Sequence, residues 1–181
     1  RSRERLGVER IDLYYLHRPD RTRLYADAIE VLAGLRADGV ISEIGISNAN
    51  VEEVRIALDV LGERGLAAVQ NEFSPKFNHT SYPELRFCGE HGIAFVPWSP
   101  LGGVGGGHGV GDRFPVLAEV ADAHGVSPQV VTLAWALSLG DHVVPIPGAS
   151  RPASITDSAK ALDLELTPEE LERISAALLQ R

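Results

Sequence analysis

Ile11-Asp12-Leu13-Tyr14-Tyr15-Leu16 is a short run rich in apolar and aromatic residues, and it ends abruptly in His17-Arg18-Pro19-Asp20. That composition and length predict a β-strand. Apolar residues at Ala28, Val31, Leu32 and Leu35 then mark a helix, which Gly39 closes. The alternation recurs along the chain. A second strand from Ile41 to Ile46, broken by Gly45, ends in Ser47-Asn48 and precedes a helix from Val51 to about Leu61, with Gly62 and Gly65 ending the unit. A third strand, Ala67-Ala68-Val69-Gln70-Asn71-Glu72, gives way to a loop containing Ser74, Pro75, Asn78 and His79, and to a short helix over about 83–91 capped by Gly92.

The fourth strand, Ala94-Phe95-Val96-Pro97-Trp98, runs into Ser99-Pro100-Leu101-Gly102 and a glycine-rich tract over 102–111. Helices over 115–124 and 128–138 follow, with Pro128 suited to a first helical turn after Ser127. The fifth strand, Val143-Val144-Pro145-Ile146, leads to Pro147-Gly148-Ala149-Ser150-Arg151-Pro152 and a helix near 154–162. Thr167-Pro168-Glu169-Glu170 opens a last helix with an N-cap and an acidic first turn. Five strand–helix units in succession predict an α/β fold with a parallel sheet.

The polar residues are not scattered over these units. His17, Ser47-Asn48, Gln70-Asn71, Trp98-Ser99 and Gly148 to Ser150 each follow the C-terminal end of a strand. In a βα barrel that rim carries the active site.

Composition narrows the function classes. With 181 residues, 44% of them hydrophobic and 23% charged, the chain has the means to bury one sizeable core, and a single domain over 1–181 is expected. A formal charge of −8 without a Lys/Arg run argues against nucleic acid or an anionic membrane as partner, so a small molecule is the expected one. No apolar stretch approaches the roughly 18 residues of a membrane span, and Arg1-Ser2-Arg3-Glu4-Arg5 has no signal-peptide core, so a cytoplasmic location is expected. Cys88 is the only cysteine and is read as a helix packing residue. Neither it nor His79, His91, His124 and His142 shows metal-ligand spacing, and no metal is expected. The glycine-rich tract lacks both Gly-x-Gly-x-x-Gly and a Gly-Lys pair, and His108 within it is expected to be solvated. There is no Met anywhere, so further residues are expected upstream of Arg1.

In order and spacing, 11–20, Gly45-Ile46-Ser47-Asn48, Gln70-Asn71-Glu72, Trp98-Ser99-Pro100-Leu101-Gly102 and Ile146-Pro147-Gly148-Ala149-Ser150 resemble the motif series of the aldo-keto reductases. Each motif is weak alone; the five in register are specific. The resemblance implies a (β/α)8 TIM barrel of which this chain supplies about strands four to eight, an incomplete barrel. It also implies NADPH, or NADH, lying along the C-terminal rim, and reduction of an aldehyde or ketone to an alcohol. By this likeness His17 orients the substrate carbonyl and stabilises charge on its oxygen. Ser47, Asn48 and Gln70 hold the nicotinamide carboxamide, whose donor and acceptor match amide and hydroxyl side chains. Trp98 stacks on the nicotinamide. Ser99, Leu101 and Gly103 approach the pyrophosphate, with the tract 102–111 as a flap. Gly148, Ser150, Arg151, Ser154, Asp157 and Ser158 surround the adenosine end.

The sequence departs from the family's commonest pattern at that end, where Lys is usual in place of Gly148, Arg in place of Ser154 and Asn in place of Ser158. Arg151 is the cation left for a 2′-phosphate. The family's acid–base tyrosine, with its lysine and aspartate, belongs to units that precede those seen here. Lys76 and Lys160 are the only lysines, and neither stands at a strand end beside a tyrosine. Taken alone, the chain is expected to be inactive or nearly so, since an acid–base group contributes about 10²–10⁴-fold in rate. The resemblance leaves two alternatives: a non-catalytic, cofactor-binding regulatory module on the same scaffold, as in potassium-channel β subunits, or an inactive truncated product.

Overall fold

A computed structural model describes residues 1–20, 22–103 and 105–179, which divide into two compact units. The first comprises Arg1–Asn71 and Glu84–Phe95, the second Glu72–Pro83 and Val96–Arg181.

In the first unit a short helix α1 (Ser2–Leu6) stops at Gly7, whose φ of 69° lies in the left-handed region. Then come β1 (Ile11–Leu16), α2 (Tyr25–Ala37), β2 (Ile41–Ser47), α3 (Val51–Leu61), β3 (Ala68–Gln70), α4 (Tyr82–His91) and β4 (Ala94–Phe95). The four strands form one parallel sheet in the order β1-β2-β3-β4. Its register pairs Tyr15 with Gly45, Ile46 with Val69 and Ser47 with Gln70. The third and fourth strands align Val69 with Phe95. Ile44, Ile46, Val69 and Phe95 are fully buried, as expected of a parallel sheet whose strands read as apolar runs. Helix α3 contributes Val54 and Ala57 to this core, and α4 contributes Leu85, Phe87 and Cys88. Burial pushes the Cys88 thiol up to about 12, with the Glu84 carboxylate adding to it, so the residue packs as expected and does not ionise.

The second unit holds a 3₁₀ turn at Gly106–Gly109, α5 (Val110–Arg113), α6 (Pro115–His124), α7 (Pro128–Ser138), α8 (Pro152–Ala159), a 3₁₀ turn at Lys160–Leu162 and α9 (Pro168–Leu179). Its centre is Trp135, fully buried, stacked on Phe73 at 5.9 Å and donating its indole N–H to Ser175 Oγ at 3.1 Å. Ser127 caps α7 through Val130 N–H with Pro128 in the first turn, and Thr167 and Glu170 cap each other at the start of α9, both as expected.

Several elements differ from the sequence expectation. The third strand, expected over 67–72, is confined to Ala68–Gln70, and the fourth shortens to Ala94–Phe95. Trp98 forms isolated parallel bridges to Glu72 and to Ile146, and the fifth strand is reduced to that last bridge. Prolines account for the loss in the fourth and fifth strands: Pro97, Pro145 and Pro147 have no N–H to continue a ladder. On α2 the buried residues are Ile29 and Leu32, whereas Val31 is 65% exposed. The tract 102–111, read as a flap, carries two short helical turns and is tied to α7 by Gln129 Nε2, which donates to Gly107 O at 2.5 Å. Val104 lies outside the described residues. Among the described residues no helix is long and apolar enough to cross a membrane, and no group of three His, Cys, Asp or Glu could hold a metal ion.

Candidate functional site

In the first unit the C-terminal ends of β1, β2 and β3 converge. Parallel register sets Ser47 beside Gln70, and Ser47 Oγ donates to Gln70 O at 2.7 Å. The next residue, Asn48, is left-handed with φ 58°, a conformation that non-glycine residues adopt at a cost and that Asn tolerates best. Its main-chain N–H donates to Gln70 O at 3.0 Å. Its side-chain Nδ2 donates to His17 O at 3.0 Å and to Ser47 Oγ at 3.1 Å. Both Nδ2 hydrogens are thereby engaged, and Asn48 Oδ1 remains as an acceptor. The His17 imidazole is exposed at the end of β1.

Gln70 has a further neighbour that the sequence did not single out. Tyr15, half-buried on β1, is held above the usual tyrosine range by desolvation, partly offset by a hydrogen bond with the Gln70 side chain. Its ring lies over Gly45, its register partner, where an added Cβ would collide with the ring. Gly45 is thus required by a close approach, although its backbone is ordinary.

In the second unit the C-terminal ends of the strand segments open onto a cleft of about 890 Å³. Ser99, Leu101 and Gly103 line one part of it, and Gly148, Ser150, Arg151, Ser154, Asp157 and Ser158 line another. All nine residues assigned from the sequence to the pyrophosphate and adenosine regions therefore share one cavity. Ser99 is the second left-handed non-glycine residue among those described, with φ 53°, so both such residues stand at candidate positions. Gln129 and His108 also line the cleft. Gln129 sits on a helix rather than at a strand end, so no signal in the sequence marked it; His108 is exposed, as expected, but faces this cavity. Trp98 is half-buried in the same unit and is not among the lining residues.

Charge in the cleft is sparse. Arg151 is the only Arg or Lys among the lining residues. Asp157 accepts from Ser127 Oγ at 2.5 Å and from Lys160 Nζ at 2.9 Å, and the Ser127 bond, followed by the Lys160 contacts, holds its carboxyl below the usual range against partial burial. Lys160 is therefore committed to Asp157, and Lys76 lies over the Phe77 ring at 5.0 Å. The Gly148 position is open, since an added Cβ there meets nothing within 4 Å.

Residues 1–179 match the family model described as the aldo/keto reductase family. An aldo-keto reductase of Mycobacterium sp. (strain KMS) is 34% identical over 97% of this chain and 60% of its own length. A probable aldo-keto reductase 1 of Glycine max is 31% identical over 97% of this chain and 57% of its own length. Among solved structures, an aldo-keto reductase from Klebsiella pneumoniae in complex with NADPH superposes with a TM-score of 0.85 at 26% identity, covering 99% of this chain and 63% of that one. The chain thus spans about 60% of the curated relatives it matches. A family match along nearly the whole chain, on an α/β fold whose candidate residues gather at strand ends, means that the protein belongs to the aldo/keto reductase family.

Proposed function

We propose that this chain is the C-terminal part, strands four to eight of a (β/α)8 barrel, of an enzyme that reduces an aldehyde or ketone to an alcohol with NADPH. The observation that carries the proposal is the convergence of Ser47, Asn48, Gln70 and His17 at the ends of three neighbouring parallel strands. The donor set fits a nicotinamide carboxamide. Asn48 Oδ1 is free to accept from the carboxamide NH₂, and the Gln70 amide can both donate and accept. The cleft supplies hydroxyls from Ser99, Ser150, Ser154 and Ser158 and the Arg151 guanidinium, suited to phosphate and ribose. When bound, NADPH supplies hydride to the carbonyl carbon.

The chain's own residues then have distinct tasks. His17 donates a hydrogen bond to the carbonyl oxygen and stabilises the charge that gathers there as the carbon is reduced. Asn48, tied to His17 O, couples the cofactor grip to the position of that imidazole. The proton for the alcohol comes from a group outside the described residues. Tyr15 is unsuited to the role because burial raises its hydroxyl where an acid needs lowering, and no lysine accompanies it.

The test is NADPH titration followed by Trp fluorescence, with the protein and Trp98→Ala, and in parallel the consumption of NADPH with a panel of aldehydes by the full-length protein. Saturable quenching and aldehyde-dependent oxidation are expected. Absence of NADPH binding by the full-length protein would sink the reading, and binding without turnover on any carbonyl would leave only a cofactor-binding role.

A further inference from the structure

Asn71 stands at the strand end Gln70-Asn71, and neither the site nor the proposed reaction assigns it a task. Its side chain is buried, at 5% exposure, in a place where a polar group must be paired. The pairing is double and falls on one residue. Asn71 Oδ1 accepts from Ala49 N–H at 3.1 Å, and Asn71 Nδ2 donates to Ala49 O at 2.7 Å. An amide of this length engages both main-chain groups of Ala49 as a neighbouring strand would. Asp has no donor, Leu has neither group, and Gln is one methylene too long.

Ala49 follows the left-handed Asn48, so the clamp fixes the peptide on the far side of the strained residue. Four successive amides in this stretch are held from outside the turn. Asn48 N–H donates to Gln70 O, Ala49 N–H to Asn71 Oδ1, Asn50 N–H to Glu53 Oε2 and Val51 N–H to Glu84 Oε1. A residue in a sparsely populated conformation persists only where its surroundings over-determine it. Asn71 also returns a bond to the turn, donating to the Ala49 carbonyl. Without it, Asn48 would be free to relax toward negative φ, swinging its amide away from His17 O and Ser47 Oγ.

We infer that Asn71 is a positioning residue that holds Ser47 and Asn48 in the geometry that grips the nicotinamide, an inference resting on the cofactor reading above. Asn71 does not touch the cofactor; it acts through the Ala49 main chain. Loss of the clamp therefore weakens the nicotinamide end selectively and leaves the adenosine end, which is held by other residues, as it was.

The experiment compares NADPH with 2′,5′-ADP, which carries the phosphorylated adenosine end and no nicotinamide, by titration against the full-length protein and its Asn71→Ala variant. NADPH affinity is expected to fall about tenfold, the size of a lost buried hydrogen-bond pair, with 2′,5′-ADP changed by less than about twofold. Equal weakening of both ligands, or no change in either, overturns the inference. Should Asn71→Ala not fold, Asn71→Asp keeps the volume and the acceptor for Ala49 N–H, and the same ratio is read from it. If the parent binds NADPH no more tightly than 2′,5′-ADP, the nicotinamide assignment itself fails and the inference falls with it; a parent that discriminates and a variant that still does so removes the inference alone.

Discussion

At Gly148 a missing side chain bears on the cofactor preference proposed above. It lines the cleft, its Cβ position is empty, and the aldo-keto reductase pattern usually carries Lys there. Arg151 is then the sole Arg or Lys facing the place proposed for a 2′-phosphate. Gly148→Lys is expected to tighten NADPH about fivefold, the upper reach of an exposed ion pair, while leaving NADH unaffected. Parallel titrations with both cofactors check this, and equal gains for both would show that the added lysine acts on something other than the 2′-phosphate. Most of the residues proposed for the cofactor were legible in the sequence because they sit in short motifs directly after strands. The pairings of Tyr15 with Gln70, of Asn71 with Ala49 and of Gln129 with Gly107 were not, because each joins residues distant in sequence and no local pattern records it.

At the level of elements, the start of α3 depends on a buried acid from α4. Glu84 is 5% exposed, its Oε1 accepts from Val51 N–H at 3.0 Å, and its Oε2 is buried without a hydrogen-bond partner among the described residues. Desolvation raises its carboxyl above the usual range, and hydrogen bonds to the main chain only partly offset this. The folded state therefore holds this proton to higher pH than the unfolded chain does. Its contribution to stability is greatest at low pH and declines as pH rises from the ordinary glutamate value through the raised one. Glu84→Gln keeps an acceptor for Val51 N–H and removes the charge. Its stability relative to the parent should rise with pH across that window, which denaturant unfolding between about pH 4 and pH 8 will read. A constant difference across the range would contradict it.

The same scale shows why some elements were legible and others were not. Helix α6 begins and ends where Pro115 and Gly125 put it, and α7 begins where Ser127 and Pro128 do, because capping and proline are local instructions. The buried stripe of α2 could not be read from periodicity. Apolar residues at Tyr25, Ala28, Ile29, Val31, Leu32 and Leu35 surround the helix, so several faces qualify and tertiary packing selects Ile29 and Leu32. The fourth and fifth strands are shorter than their apolar composition predicts because their prolines forbid a ladder.

For the molecule as a whole, surface composition bears on its behaviour in solution. Strand β1 lies at one end of the described sheet, with Leu13 38% exposed and Leu6 and Val8 more so. An apolar strand edge of this kind invites pairing between molecules. Leu13→Lys should lower concentration-dependent light scattering of this chain while changing folding stability by less than about 0.5 kcal/mol. Unchanged scattering would place the associating surface elsewhere.

The two compact units are also interleaved along the chain. The first needs residues 84–95 to complete it, and the second begins earlier, at Glu72. During synthesis, the segment Glu72–Pro83 leaves the ribosome before the first unit has its last helix and strand, and long before the partners of that segment within its own unit exist. Asn78, for example, waits for Leu178, to whose carbonyl its side chain donates at 2.8 Å. No single cut or gene fusion point therefore separates the units into two continuous pieces.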